Sequence, residues 1–302
     1  MLEAEETYTD YVPRLHREKE LTGGGSLILG KALTVKMDQW WMLLLGVCGI
    51  IVAMTVLWAD PFWRMLRFFG DGLWVTISIS FISFALILVA GLLGGLGRVS
   101  PTRFWRNTTA FYVEIVRGIP LLVQLLFIYY AFPQVLDYIG EGLIRFVPQW
   151  ADFGQSLIDA QLSAFWSAVA GLTLCYGAYM TEIFRSGIEA IPYGQMEAAQ
   201  ALGMTRPQAM YNIILPQAFR VILPPIGNDF ISLLKDSSLV SVVAVADLTR
   251  RGREFISTAF IPLEGWTMVA LLYLVLTLSV SRGVAALEKH SKAHETKRFA
   301  EY

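Results

Sequence analysis

Charged side chains embedded in apolar stretches are the first candidates for chemistry in this sequence. An ionised group at a bilayer centre costs roughly 2.5–3.5 kcal/mol on insertion scales, so it turns toward protein or water. Glu114 and Arg117 stand three residues apart, as do Glu182 and Arg185. On a helix that spacing puts both members of a pair on one face, and the reading is structural ion pairing. Asn228, Asp229 and Lys235 follow a Pro224-Pro225 pair within the apolar region Phe219 to Ala246. Two adjacent prolines predict a broken helix with carbonyls freed of their donors. Within a membrane such a break is tolerated where it lines a cavity or is covered by protein.

Other chemistry finds little support. Gly25 to Lys31 spells G-S-L-I-L-G-K, most of a phosphate-binding Walker A loop. Ala32 follows where the magnesium-binding hydroxyl belongs, and no strand leads into the loop, so a flexible linker is the better reading. His16, His290 and His294 all lie in the polar ends, and the last two lack the glutamate of a zincin helix. With no histidine in the apolar runs, no Ser/His/Asp set converges there, and a membrane enzyme is poorly supported. Cys48 and Cys175 lie inside apolar runs and read as packed residues, not as a disulfide or metal pair. Asn107-Thr108-Thr109 is a glycosylation sequon on the side expected to be cytoplasmic, and reads as chance.

The elements that must hold these residues are membrane helices. Of 302 residues, 55% are hydrophobic and 16% charged, with a mean hydropathy of +0.52; a soluble domain carries about 25% charge. Net charge is −1, without the concentrated basic face that nucleic acid requires. A span needs about 20 mainly apolar residues. Charge-free windows run from Trp40 to Trp58, Leu73 to Gly97, Gly118 to Leu136, Ala160 to Thr181 and Gly265 to Ser281, and the interrupted region after Phe219 supplies a sixth. The expected fold is an all-α membrane protein of about six spans. In it, Ser237 to Ala246 lies at the far interface or re-enters. Sixteen of the 24 basic residues fall on the side of the termini and seven on the other, with Arg117 inside a span, so both termini are expected in the cytoplasm. Arg250, Arg251 and Arg253 run against that bias. Gly91 to Gly95 is a G-x-x-x-G seam suited to close helix contact, within the bundle or with a partner. Most tryptophans, Trp40, Trp58, Trp105 and Trp150 among them, fall near span ends, as interfacial anchors do.

The connection from Glu182 to Arg220 has its own pattern. Gln195 to Leu202 is rich in helix formers, Gly203 ends that run, Thr205 can cap a second helix with Pro207 in its first turn, and Pro216 is expected to stop or redirect it. Met196, Ala199 and Leu202 should share a face, and Ala198 and Ala199 leave a thin surface able to enter a groove. Two short helices joined at a glycine make an elbow.

Glu197-Ala198-Ala199, Gly203 three residues on, and Ile213-Ile214-Leu215-Pro216 after nine more resemble the EAA loop of importer-type ABC transporter permeases. Arg117-Gly118-Ile119-Pro120-Leu121-Leu122-Val123-Gln124, Tyr176-Gly177-Ala178-Tyr179 with Glu182 and Arg185, and Leu234-Lys235-Asp236-Ser237-Ser238-Leu239 narrow the resemblance to permeases for polar amino acids. It covers about Asp71 to Glu288. The family's core has five spans, so the helix at 39–60 and the polar tail at 1–38 look like additions to a permease domain at 71–288. Its EAA loop occupies 186–217, and a cytoplasmic tail follows at 289–302.

The resemblance implies a permease subunit in a bacterial plasma membrane, without catalytic residues, metal or cofactor of its own. ATP and magnesium would sit on two partner ATPase subunits. A second permease, identical or sister, and an extracytoplasmic amino-acid-binding protein would complete the importer, with no nucleic acid. By motif position, Glu197, Ala198, Ala199, Gly203, Ile213, Leu215 and Pro216 would couple to the ATPase. An amino acid carries both charges on its backbone, so its path needs donors and acceptors; Gln124, Asn228, Asp229 and Lys235 are the candidates. An ion-gradient-driven secondary transporter or a channel would explain the spans but not the elbow.

Overall fold

The computed structural model describes residues 39–160 and 162–299, and every regular element among them is helical. The expected tail at 1–38 lies outside the described residues. In chain order the α-helices are α1 (Gln39–Leu57), α2 (Ala59–Arg98), α3 (Arg103–Gly118), α4 (Leu121–Leu126), α5 (Phe132–Phe146), α6 (Ala151–Ile158), α7 (Ala164–Glu189), α8 (Tyr193–Ala201), α9 (Arg206–Ala209), α10 (Leu215–Asp236), α11 (Leu248–Ala259) and α12 (Pro262–Phe299). A π-helical turn, Phe127–Ala131, joins α4 to α5, and another, Met210–Ile214, joins α9 to α10.

Four stretches are long and apolar enough to cross a membrane: Gln39–Leu57, Ala59–Arg98, Leu121–Phe146 and Pro262–Lys289. The other two expected spans correspond to α7 and α10, which carry more small and polar residues and form the centre of the bundle. α7 is buried along most of its length, from Ser167 to Ile188. One core cluster joins Ile79 and Ile87 of α2, Leu125 of α4, Leu172, Met180 and Phe184 of α7, and Ile222, Phe230 and Leu233 of α10.

The G-x-x-x-G seam packs inside this bundle. A Cβ on Gly91 would lie 2.2 Å from Met180 Cγ, and one on Gly95 would lie 2.5 Å from Phe184 Cβ. These glycines let α2 and α7 run side by side at close range. Gly187 accepts Ile222 of α10, and Gly227 accepts Val284 of α12, in the same way.

Three expectations need correction. The crossing placed at Gly118 to Leu136 begins earlier, because α3 already lies against α7: Tyr112 donates to the Leu174 carbonyl at 2.7 Å. The actual interruption is at Ile119 and Pro120, between α3 and α4. Pro224 and Pro225 do not break α10, which runs through them. A proline inside a helix costs about 3 kcal/mol, but α10 is gripped on both sides of the pair, by α7 at Ile222 and by α12 at Gly227. Likewise Pro216 does not end the second elbow helix. The π-helical turn before it absorbs the proline, and the Gln217 side chain donates to the Ile213 carbonyl at 2.9 Å.

The segment after α10 neither lies flat nor crosses. Ser237–Val243 forms a 3₁₀ helix with Ser237, Val240, Ser241 and Val243 buried. It packs among α2, α4, α7, α10 and α11 at the end of the bundle away from the elbow, so its backbone is covered by protein, as the membrane interior demands. Asp247 then caps α11, accepting from the backbone of Thr249 at 3.1 Å and Arg250 at 3.0 Å. Arg251 ties α11 to α2 through Asp71. Glu254, bonded by Arg250 and Arg251, has its carboxyl held below the usual range by those guanidiniums.

Candidate functional site

The α3–α4 interruption is held open by a buried amide. Gln124 is 6% exposed, and its Nε2 donates to the carbonyls of Val116 and Ile119, both at 2.8 Å. Pro120 has no N–H to offer the Val116 carbonyl, which keeps only the Ile119 N–H at 3.3 Å, and the Val123 N–H turns to the Pro120 carbonyl, so Gln124 makes up bonding that the interrupted helix loses. Gln124 thus fixes the Arg117–Pro120 corner and is not itself among the residues lining the cavity beside it.

That corner forms one wall of a cavity of about 470 Å³. Arg117, Gly118, Ile119, Pro120 and Leu121 face Cys175, Tyr176 and Tyr179 of α7 and Asp229, Ser232 and Asp236 of α10. Arg117 lies over the Tyr179 ring at 5.0 Å, within cation–π range. It forms no ion pair with Glu114 among the described residues, although both side chains are exposed on α3. The expected pair is therefore not made. Tyr176 donates to Asp236 Oδ2 at 2.7 Å, which orients that carboxylate. Asp229 Oδ2 is buried with no hydrogen-bond partner. A cation and two carboxylates on opposite walls, with bonding capacity unused, suit a small zwitterion.

The other path candidates lie elsewhere. Asn228 and Lys235 are exposed on the outer faces of α10 and do not line the cavity. Tyr176, Tyr179, Ser232 and Asp236 do line it, although the sequence reading gave them no role in a path. Their spacing carried the signal: Asp229, Ser232 and Asp236 are i, i+3, i+7 on one helix, and Tyr176 and Tyr179 are i, i+3 on another. A larger cavity of about 860 Å³, between α2, α10 and α12, is walled by Phe81, Phe84, Phe219, Phe230 and aliphatic neighbours. Glu288 is its one charged lining residue, so it has no cation to receive a carboxylate.

Glu182 and Arg185 pair as expected, and Arg185 also reaches Glu189. Arg98 at the end of α2 approaches Glu182 at 3.9 Å. This charged knot marks where α7 leaves the bundle for the elbow.

The elbow is built by a glycine turn. Gly203 has φ +85°, its N–H bonds the Gln200 carbonyl at 2.9 Å, and Met204 N–H bonds that of Ala199 at 3.1 Å. This is the Schellman closure that favours glycine. Thr205 N–H then bonds Gln208 Oε1 at 2.9 Å to start α9. Met196, Ala199, Ala209, Ile214 and Ala218 form the elbow's own core with Ile188. Ala199 is therefore an interior residue, while Glu197, Ala198 and Pro216 are exposed and Ile213 and Leu215 are partly buried. Leu202 does not share the Met196 face. It sits past the helix end at the cap and is 83% exposed. Tyr193 and Tyr211 are exposed nearby.

Residues 86–292, which include the cavity and the elbow, match the family described as binding-protein-dependent transport system inner membrane component. The chain belongs to this family. Among relatives of this permease, the glutamine transport system permease protein GlnP of Escherichia coli K12 is 35% identical over 230 residues, 76% of this chain and 95% of that protein. The L-cystine transport system permease protein TcyB of Bacillus subtilis 168 is 38% identical over 195 residues, 65% of this chain and 72% of its own length. A solved amino acid ABC transporter with histidines superposes with a TM-score of 0.62 at 35% identity, covering 75% of this chain and 95% of that one. The methionine transporter MetNI, in an inward-facing form, shares the fold with a TM-score of 0.61 at 19% identity. The permease is thus a multi-pass inner-membrane component of the amino acid ABC importer class.

Proposed function

We propose that this permease passes an amino acid through the Arg117–Asp229–Asp236 cavity. The observation that carries the reading is the convergence of those three charges between the α3–α4 corner, α7 and α10. Arg117 would receive the substrate carboxylate, for which a guanidinium offers paired donors. Asp229, with its unpartnered oxygen, would receive the ammonium, and Tyr176 keeps Asp236 turned aside as a second acceptor. The relatives named for glutamine and cystine support an amino acid cargo.

In this reading the elbow faces the cytoplasm with both termini, as the distribution of basic residues supports. Leu202, Ala198 and Glu197 present the surface that one of two ATPase subunits grips, while ATP and magnesium remain on those subunits. A second permease, identical or sister, and an external binding protein complete the importer. ATP-driven closure moves α8 and α9. Because α9 continues into α10 through the π-helical turn, the stroke shifts the helix that carries Asp229 and Asp236. The elbow is then the two-state element that links motor to path.

The test is equilibrium binding of a panel of radiolabelled amino acids to the purified permease–ATPase complex without its binding protein. Arg117→Gln and Asp229→Asn should each weaken binding at least about tenfold, as expected for loss of one partner of a charge-assisted contact. Equal binding by both variants, or by the methyl ester of the same amino acid, would contradict the assignment.

A further inference from the structure

A second polar cavity, of about 640 Å³, opens at the elbow end between the α2–α3 turn and the α7–α8–α9 connection. Arg98, Arg106 and Arg206 line it, with Glu189 as its one acid. Glu189 is already engaged by Arg185. Arg98 has only a long approach to Glu182, at 3.9 Å, and its Nε is buried without a hydrogen-bond partner. Arg106 and Arg206 form no ion pair among the described residues. The cavity therefore holds three guanidiniums whose donors are largely unused, and it calls for an anion with several acceptor oxygens.

The depth of the cavity narrows the source of that anion. Arg98 follows directly on the 25 uncharged residues from Leu73 to Gly97, enough to cross the hydrocarbon. Phe104 and Trp105 beside it are exposed, as aromatic residues are at the level of lipid head groups. Ser100 and Tyr193 aside, the remaining wall is apolar, with Val99, Ile191, Met210 and Ile214. Basic pockets between helices at this level suit phospholipid head groups.

We propose that this cavity binds the phosphate of an anionic phospholipid, and that the lipid braces the elbow against the α2–α3 turn. Arg98 and Arg106 hold the phosphate from the bundle side and Arg206 from the elbow side, while the apolar wall takes the glycerol and the start of the acyl chains. Soluble inorganic phosphate offers the same oxygens but nothing for that wall. The inference needs only the membrane placement of the elbow end and is independent of the cargo.

The experiment is native mass spectrometry of the full-length permease in its complex, titrated in parallel with phosphatidylglycerol, phosphatidylcholine and inorganic phosphate. The wild type should retain phosphatidylglycerol at concentrations about tenfold lower than phosphatidylcholine, and inorganic phosphate should not displace it. The double variant Arg106→Gln/Arg206→Gln should lose that preference by at least about tenfold, given two basic contacts removed. Arg103→Gln, on the same helix but outside the cavity, should keep it. Equal retention of the two lipids by the wild type would overturn the proposal, as would displacement by inorganic phosphate or an unchanged preference in the double variant. The wild-type competition decides the matter even if the double variant does not fold.

Discussion

α1 and α7 make opposite use of apolar sequence. α1 is a nearly unbroken run of large apolar residues, yet Val47 is its one buried residue. α7 is diluted with glycine, serine, threonine and tyrosine, and it is buried along most of its length. In a bilayer, lipid tails are as apolar as leucine, so hydropathy marks the helix that faces lipid. Small residues mark the helix that faces protein. α1 leans on the outer bundle through Ile51 and Met54 and sets Trp40 under Arg282 at 5.4 Å. α7, by contrast, carries one wall of the charged cavity and leads into the elbow.

This contrast should break most visibly at the α2–α7 seam. Gly91→Leu drives a side chain into Met180, whose backbone carbon is only 3.1 Å from the new Cβ. A loss of about 3 kcal/mol or more is expected from overpacking. Thermal unfolding of the detergent-solubilised permease, with loss of a monodisperse peak, would record it. Removal of residues 1–57, α1 included, should have a much smaller effect: folding should survive, and ATP-driven uptake in vesicles should remain within about twofold, as for changes away from packed features. A collapse of uptake on that deletion would place α1 in the working core. The smallest effect is expected at Thr181, which is wholly buried with its hydroxyl unpartnered. Thr181→Val removes an unsatisfied polar atom, so the melting temperature should hold or rise slightly, a change worth up to about 1 kcal/mol.

Much of the elbow was legible because its signals are local. Gly203 marks a left-handed turn, and Thr205 with Pro207 marks a helix start, whatever surrounds them. The six spans were legible from charge-free windows, although α3 was missed as part of a crossing because Arg103, Arg106, Glu114 and Arg117 break its apolar run. The prolines of α10 misled for a physical reason. Local sequence reports the lost hydrogen bonds at Pro224 and Pro225, but not the grip of α7 and α12 on either side. Gln124 was read as a path residue because a polar group in an apolar run demands a partner. That its partners are two backbone carbonyls at a helix corner is a tertiary fact that no periodicity encodes. Asp236 and Tyr176 were both quoted in motifs, but their contact spans sixty residues of sequence.

The most direct measurement is ATP-driven amino acid uptake by vesicles holding the complete importer with Asp229→Asn in the permease. Uptake should fall at least about tenfold, as for a lost buried charge contact, while ATP hydrolysis stimulated by the binding protein persists, since the elbow is untouched. Uptake at the wild-type rate would show that the cargo does not pass through the cavity between α3, α7 and α10.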